Sequence, residues 1–122
     1  KTAHGTVLGA EATLALWREA DGLDSVPPRT EPLPHADPDD PTRATRIVWG
    51  ENPRSHQVEL IRIDKGGHVE PSRSRHFRRA YLRLVGPQNQ DVETAEEAWT
   101  FFRDKTRTRP SEPEKTAVTR LN

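Results

Sequence analysis

Apolar residues recur at helical spacing in two stretches of the sequence, one near each end. The first, Ala10–Ala20, consists of strong helix formers, and its large apolar residues Leu14 and Trp17 fall on one helix face. Gly22 follows directly and supplies a stop signal. The pattern predicts a short amphipathic helix in which Trp17 is an anchor in the core.

The second stretch, residues 90–106, has the clearest helical pattern in the chain. Thr94 and Glu97 predict a capping box, with Asp91 as an alternative cap one turn earlier. Acidic residues stand in the first turns and basic residues in the last, as the helix dipole favours. Its apolar stripe consists of Val92, Ala95, Trp99 and Phe102, widened by Ala98 and Phe101. We expect this aromatic stripe to lie on a sheet and to supply much of the core.

The middle of the chain has strand patterns instead. Residues 42–50 are rich in β-branched and aromatic side chains and end at a glycine, and residues 56–64 form a second predicted strand. The apolar positions of the second strand change phase after Leu60. This change indicates either a bulge or partial burial on both faces of a sheet.

A glycine turn and a basic segment follow the second strand. Residues 65–67, Lys-Gly-Gly, predict a tight hairpin turn, after which residues 68–70 return antiparallel to the second strand. Residues 79–85 place apolar side chains at alternate positions and end at a Gly-Pro pair, so we predict a further strand there. A helix over residues 74–84 is the competing interpretation.

Residues 26–41 form an acidic connector with six prolines, each of which lacks a backbone donor and disfavours helix in the residue before it. Its aspartates indicate a solvated loop, because the glycine and closing glutamate of a calcium-binding EF-hand loop are missing. The connector is also able to fold back over the basic middle of the chain and shield it. Residues 108–122 lack periodicity and are expected to be a flexible tail.

These elements predict a single small domain of the α+β class over residues 1–122, with an ordered core at about 42–107. We expect an antiparallel sheet of three to four strands between residues 44 and 85. The C-terminal amphipathic helix covers one face of this sheet, and the short N-terminal helix assists. Only 31% of the residues are hydrophobic and eleven are proline, so the core is expected to be small.

Charge is unevenly distributed although the formal net charge is zero. Residues 1–40 contain three Lys or Arg and eight Asp or Glu, residues 41–86 contain ten and four, and residues 87–122 contain six and seven. Arginine outnumbers lysine fifteen to four, which favours bidentate contacts to phosphate or carboxylate, although a GC-rich genome would produce the same ratio. The middle of the chain is therefore its electropositive part.

The absence of cysteine excludes disulfides, thiolate catalysis and cysteine metal sites. No apolar run approaches the roughly 20 residues of a membrane-spanning helix. We expect a cytoplasmic protein that has no membrane association, no cofactor and no bound metal.

The basic segment, residues 71–86, is the predicted binding site. Its arginines neutralise phosphates, and its rings stack on bases, as in single-strand binding surfaces. The candidate anion-binding residues are Arg73, Arg75, His76, Arg78, Arg79, Tyr81 and Arg83, with Arg62 and Lys65 on the neighbouring hairpin. We expect a non-catalytic binder of a polyanion, with nucleic acid as the leading candidate, through an arginine-rich strand face. The alternative is a solvated face whose arginines pair with nearby carboxylates.

Two other function classes stay open. Histidines and carboxylates provide material for a small enzyme acting on an anionic substrate, and His56 and His68 would approach each other across the predicted hairpin. However, no HExxH or GxSxG motif is present. The third class is a protein-interaction or accessory module that uses the proline-rich connector or the tail as a ligand for a partner.

Overall fold

A computed structural model describes residues 8–106 of the 122-residue chain. Within this range there are three helices and three strands in the order α1 (Ala10–Ala20), β1 (Arg29–Pro32), β2 (Arg43–Trp49), β3 (Val58–Asp64), α2 (Arg79–Val85) and α3 (Thr94–Phe102). The strands form one antiparallel sheet in the order β1-β2-β3. The predicted α+β class with a three-stranded antiparallel sheet is therefore confirmed. The predicted tail at 108–122 lies outside the described residues.

β2 is the central strand, and β3 lies at one edge of the sheet. Ile47 of β2 is opposite Thr30 of β1 on one side and opposite Leu60 of β3 on the other. All seven residues of β3 pair in sequence with β2, so the change of apolar phase in β3 is not a bulge. It reflects partial burial on both faces, because successive side chains of a strand point to opposite faces.

The buried apolar cluster lies on one face of the sheet. Leu23, Trp49 and Val58 form its centre, and the partly buried residues packed against it are Leu14, Val26, Ile47 and Leu60. Leu14 belongs to α1, so α1 is the helix that covers this face. The cluster is small, as the low hydrophobic content predicts.

α1 has its predicted boundaries but not its predicted core anchor. Leu14 packs on the buried cluster, and the guanidinium carbon of Arg18 lies 5.0 Å from the centre of the Trp49 ring. Leu14 and Arg18 are four residues apart and therefore share one helix face. Trp17 lies beside that face and is 61% exposed. The prediction that Trp17 is a core anchor is wrong.

The basic segment does not contribute a strand. Residues 79–85 form α2, which ends with Gly86 N donating to the Leu82 carbonyl at 2.9 Å. The predicted strand at 79–85 is therefore wrong, and the competing helical interpretation is closer to the structure. A short apolar run fits both the two-residue period of a strand and the 3.6-residue period of a helix, so tertiary contacts decide which of the two forms. The third strand, Arg29–Pro32, comes from the connector, where proline is tolerated because the strand lies at the sheet edge.

The glycine turn after β3 does not form a hairpin. Residues 68–70 are not a strand, and the backbone N–H groups of Gly67 and His68 donate to the carbonyls of Pro87 and Val85, each at 2.7 Å. A Cβ atom added to Gly67 would lie 2.6 Å from the Cα atom of Gly86. The turn therefore docks on the end of α2, and only glycine fits this close backbone approach.

α3 is shorter than the predicted helix over 90–106, and a different side of it faces the sheet. The α3 side chains that line the gap towards β3 include Thr94, Glu97, Ala98 and Phe101. These residues follow the spacing i, i+3, i+4, i+7. Trp99 is 68% exposed, and Phe102 is 62% exposed at the mouth of the gap. The prediction that Trp99 and Phe102 pack on the sheet is therefore corrected.

We predict that Gly67→Ala destabilises the fold by about 2–3 kcal/mol, because the added methyl group overlaps the backbone of Gly86. Urea denaturation followed by circular dichroism measures the effect. Gly9→Ala is the matched control, since a Cβ atom there meets no atom within 4 Å and the change should cost less than about 1 kcal/mol. Equal denaturation midpoints for the two variants would contradict the proposed backbone contact.

Candidate functional site

The nine residues predicted to bind anions are all exposed, but several already have partners. Three guanidinium groups form ion pairs, Arg62 with Asp64, Arg73 with Glu96 and Arg75 with Asp37, at 3.3, 2.8 and 3.2 Å. His76 contacts Ser72 through its Nε2 atom at 3.1 Å. Of the predicted anion-binding cations, Lys65, Arg78, Arg79 and Arg83 form no ion pair within residues 8–106. The unpaired arginines of the predicted site are thus those of α2 and Arg78, which directly precedes this helix.

The acidic connector faces the basic segment across an open cleft of about 400 Å³. One side is basic and the other acidic; the charged residues lining it are Arg75, Arg79 and Arg83, and Asp37, Asp39 and Asp40. Arg79 and Arg83 are four residues apart on α2 and share a helix face. The cleft therefore presents both signs of charge, and its net field is weaker than the arginine content of residues 71–86 suggests.

The aromatic rings of the basic segment pack on each other. The ring centres of Phe77 and Tyr81 are 5.3 Å apart, and the two rings are tilted by 32°. Phe77 precedes α2 and Tyr81 belongs to it, and both side chains are partly accessible to solvent. Because the segment is a helix and not a strand, the rings and arginines do not form the predicted flat platform for stacking bases.

A buried polar network joins the connector to the segment before α3. His35 Nδ1 lies 2.9 Å from Asp91 Oδ1, and Asn89 Nδ2 donates to both Asp91 Oδ2 at 3.1 Å and Thr42 Oγ1 at 2.7 Å. Thr42 in turn donates through its hydroxyl to Asp40 Oδ1 at 2.7 Å. Thr42 and Asn89 are almost fully buried, so each partner satisfies a polar group that water cannot reach.

The network also sets the ionisation of Asp91. Burial by itself raises the pKa of this carboxyl, but hydrogen bonds from His35 and Asn89 outweigh burial and the net pKa is lowered. The charged carboxylate is therefore the form that the folded state favours. Sequence reasoning missed this network because its members are up to 56 residues apart and follow no periodic pattern.

Ser72, His76 and Glu93 form a second polar group, at the start of the basic segment. Ser72 Oγ lies 3.1 Å from His76 Nε2 and donates to Glu93 Oε2 at 2.8 Å. The serine therefore lies between the histidine and the carboxylate. A nucleophile relay requires the histidine in the middle, so this arrangement ties two segments together instead of activating Ser72.

The histidine pair suggested for an enzyme is not assembled. His56 precedes β3 and His68 follows it, and the hairpin expected to bring them together does not form. His56 lies beside Asp21, with Nδ1 and Oδ1 3.7 Å apart. In residues 8–106, no three or more His, Asp or Glu side chains are grouped so that they could hold a metal ion. The predicted approach of His56 to His68 is therefore wrong.

A second cleft, of about 360 Å³, lies between β3 and α3. Its apolar lining consists of Ile61, Ile63, Pro71, Val92, Ala98, Phe101 and Phe102, and its polar lining is Glu59, Thr94 and Glu97. Arg46 contacts both carboxylates, with its Nε atom 3.5 Å from Glu59 Oε1 and its Nη2 atom bonded to Glu97. Burial raises the pKa of Glu59 by more than the charge of Arg46 lowers it, so the net pKa of this carboxyl is raised.

The outer edge of β3 is free in the described part of the chain. Its backbone groups bond only to β2, and no described loop or side chain bonds to the backbone of residues 58–64. Large apolar side chains are exposed around the sheet on all three helices: Leu16 and Trp17 on α1, Leu84 on α2, and Trp99 and Phe102 on α3. None of the three helices contains a buried residue.

No protein-family model, curated protein or solved structure matches this chain. No helix in residues 8–106 is long and apolar enough to cross a membrane. The described residues offer three candidate sites: a cleft of mixed charge beside α2, a buried polar network, and an apolar cleft between β3 and α3.

We predict that Asp91→Asn lowers the free energy of unfolding by about 1–3 kcal/mol at pH 7, because a charged acceptor of buried hydrogen bonds is lost. Since the pKa of Asp91 is lowered on folding, its contribution is complete above the unfolded value of about 3.9 and is lost as the pH falls through the folded value. The difference between wild type and variant should therefore shrink towards pH 3.

Urea titrations at pH 3 to 7 measure this dependence. Asp39→Asn is the matched control, since Asp39 is an exposed aspartate of the same connector and lies outside the network. A difference for Asp91→Asn that is independent of pH would contradict the assigned role of the Asp91 charge.

Proposed function

We propose that this chain is a protein-docking module whose exposed apolar helix residues and free sheet edge bind a second protein surface. The observation that supports this most directly is the exposure of large apolar side chains on every described helix. Single exposed apolar residues are ordinary on protein surfaces. Here, however, Trp17 and Trp99 are each more than half exposed on the two longest helices, while those helices bury no residue.

The energetics of burial favour such docking. Each large aromatic or leucine side chain contributes about 1.5–3 kcal/mol when it is moved from water into a protein interface. Tryptophan is also enriched among the residues that dominate binding energy at interfaces. Burying Trp99 and Phe102 against a partner would therefore supply a substantial part of the free energy that a stable complex requires.

The surface proposed here differs from the connector considered in the sequence analysis. Residues 29–32 of the connector pair with β2, and the carboxylates of Asp40 and the ring of His35 belong to the polar network. The connector is thus part of the fold, so we place the docking surface on the helices and on β3 instead. Deleting residues 26–41 would remove a strand, so loss of a partner after that deletion would not identify the binding surface.

We predict that Trp99→p-benzoylphenylalanine, irradiated in the source cell, yields one discrete cross-linked protein, because position 99 lies in the proposed interface. The matched control carries the same photoreactive residue at Glu51, which is exposed in the loop after β2. Adding Phe102→Lys to the position 99 variant should reduce the adduct at least about fivefold by placing a charge in an apolar interface. Equal adducts from positions 99 and 51 would contradict the docking function.

A second candidate function is binding of a polyanion such as nucleic acid through the start and exposed side of α2. It is favoured by one specific observation: Arg78, Arg79 and Arg83 form no ion pair with any residue in the range 8–106, although the connector aspartates lie nearby. Three free guanidinium groups on one short element suit phosphate oxygens. This candidate uses α2 and leaves the α3 surface free.

For this candidate we predict that affinity for a fluorescent 20-nucleotide single strand falls about ten- to twentyfold between 50 and 200 mM salt, as expected for three phosphate contacts. Arg79→Gln with Arg83→Gln should weaken binding and flatten the salt dependence. Arg54→Gln, at an exposed position in another loop, is the matched control. Fluorescence anisotropy measures the affinity, and binding that is indifferent to salt would exclude the phosphate contacts.

A further inference from the structure

The two edges of the sheet are protected to very different degrees. β1 is four residues long and ends in a proline, two features by which natural proteins prevent unwanted strand pairing. β3 is seven residues long, pairs with β2 in regular register, and contains neither proline nor lysine. Three of its residues, Glu59, Arg62 and Asp64, are charged, but a regular edge of seven residues whose outer main-chain groups are free within residues 8–106 is the form of strand to which another strand adds.

The cleft lies on the α3 face of β3, the side to which alternate side chains of an added strand would point. Ile61 and Ile63 face Phe101 of α3 across this open space of about 360 Å³. The cleft is open to solvent, so its apolar lining is accessible to a bound segment. A strand paired with β3 would direct every second side chain into the cleft, and those side chains would pack between β3 and α3.

The apolar residues of β3 also restrict the composition of the added strand. Val58 and Leu60 lie on the α1 face of the sheet, whereas Ile61 and Ile63 lie on the α3 face. A neighbouring strand therefore meets apolar surface on both of its own faces. Strands in that environment consist of nearly continuous Val, Ile and Leu, unlike the alternating pattern of a strand with one solvated face.

A second copy of this chain does not meet that requirement. In the symmetric antiparallel register that places Ile61 opposite its own copy, Arg62 of one protomer lies opposite Leu60 of the other, and Asp64 lies opposite Val58. Arg62 and Asp64 are exposed and paired with each other, so the α1 face does not oppose this pairing. On the α3 face, however, Glu59 of one protomer lies opposite Ile63 of the other, so a second copy brings a further carboxylate and no cation to the side of Glu59 and Glu97. The composition of β3 thus favours a different polypeptide over self-pairing.

The polar residues of the cleft add one further requirement. Glu59 and Glu97 share the single guanidinium group of Arg46, and both carboxylates are mostly buried. Arg46 also bonds to Glu31, and the charge of Lys105 acts on Glu59 from outside the cleft. Because no cation lines the cleft itself, its charged lining is negative. A lysine or arginine at one end of the added strand would complement this charge.

We propose that β3 accepts, as a fourth strand of the sheet, an extended segment of a partner protein that is apolar on both faces and carries a basic residue for Glu59 and Glu97. This inference rests on the proposed docking function and specifies its mode. Main-chain hydrogen bonds to the free edge supply affinity, and the cleft between β3 and α3 selects the side chains.

The experiment uses the full chain and a synthetic peptide of sequence KVIVIVK, acetylated and amidated at its ends. Residue-resolved hydrogen exchange by NMR should show at least tenfold slower exchange for outward-facing amides of residues 58–64 when the peptide is added. A control peptide, KVIPIVK, has the same lysines but lacks the central backbone donor and should give no protection. Protection by both peptides, or by neither, overturns strand addition.

Two protein variants test the position of the peptide. Ile61→Lys should weaken KVIVIVK binding at least tenfold, because it places a charge in the cleft. Leu84→Lys makes the same kind of change at an apolar residue of α2 that is 84% exposed and lies outside the lining of the cleft, and it should leave binding unchanged. Equal losses in the two variants would contradict binding at β3. The comparison of the two peptides on the wild-type chain does not depend on the folding of either variant.

The other occupants of the edge give different results. Protection of residues 58–64 that increases with protein concentration, without peptide, would identify a second copy and overturn the proposal. Protection that is already complete and independent of concentration would mean that the chain covers its own edge, which also overturns it. A specific adduct at position 99 together with no effect of KVIVIVK would retain the docking function and reject strand addition alone.

Discussion

The arrangement of this molecule depends on the buried hydrogen-bond network that joins the connector to the segment before α3. Through Thr42, Asn89 and Asp91 it fixes residues nearly 50 positions apart. It does so at the start of β2, whereas the small apolar cluster around Trp49 lies at the end of that strand. Buried polar groups are costly when unpaired, so the network favours one arrangement of these two segments over others. The positions of the acidic connector and of α3 both follow from it.

Fixing the connector in this way has an electrostatic consequence. Asp37 and Asp39 are held across a cleft from Arg75 and Arg79, and the ion pair between Asp37 and Arg75 joins the two sides. The charge separation that is conspicuous along the sequence is therefore much reduced in space. What remains distinctive on the surface of residues 8–106 is apolar: exposed aromatic residues on α1 and α3, and an edge strand, β3, with apolar side chains on both faces and no second partner strand among these residues.

The proposed docking function and the proposed strand addition would account for these features together. A strand beside β3 would fill the cleft under α3 and complete a sheet of four strands, while the outer surfaces of α1 and α3 would contact the body of the partner. In this view the small buried cluster is a consequence of the module's role, since part of its apolar surface is used between proteins instead of within the chain.

The sequence by itself determined the elements whose local signals are strong and unopposed. The period of α1, the β-branched runs of β2 and β3, and the low hydrophobic content correctly indicated an α+β fold with a small core. Only tertiary structure decided that residues 79–85 are helical, that proline-rich residues 29–32 are a strand, and that Phe101 instead of Trp99 faces the sheet. Short segments satisfy more than one period, and long-range pairing or burial selects among them because each local preference is worth only a few tenths to about 1 kcal/mol per residue.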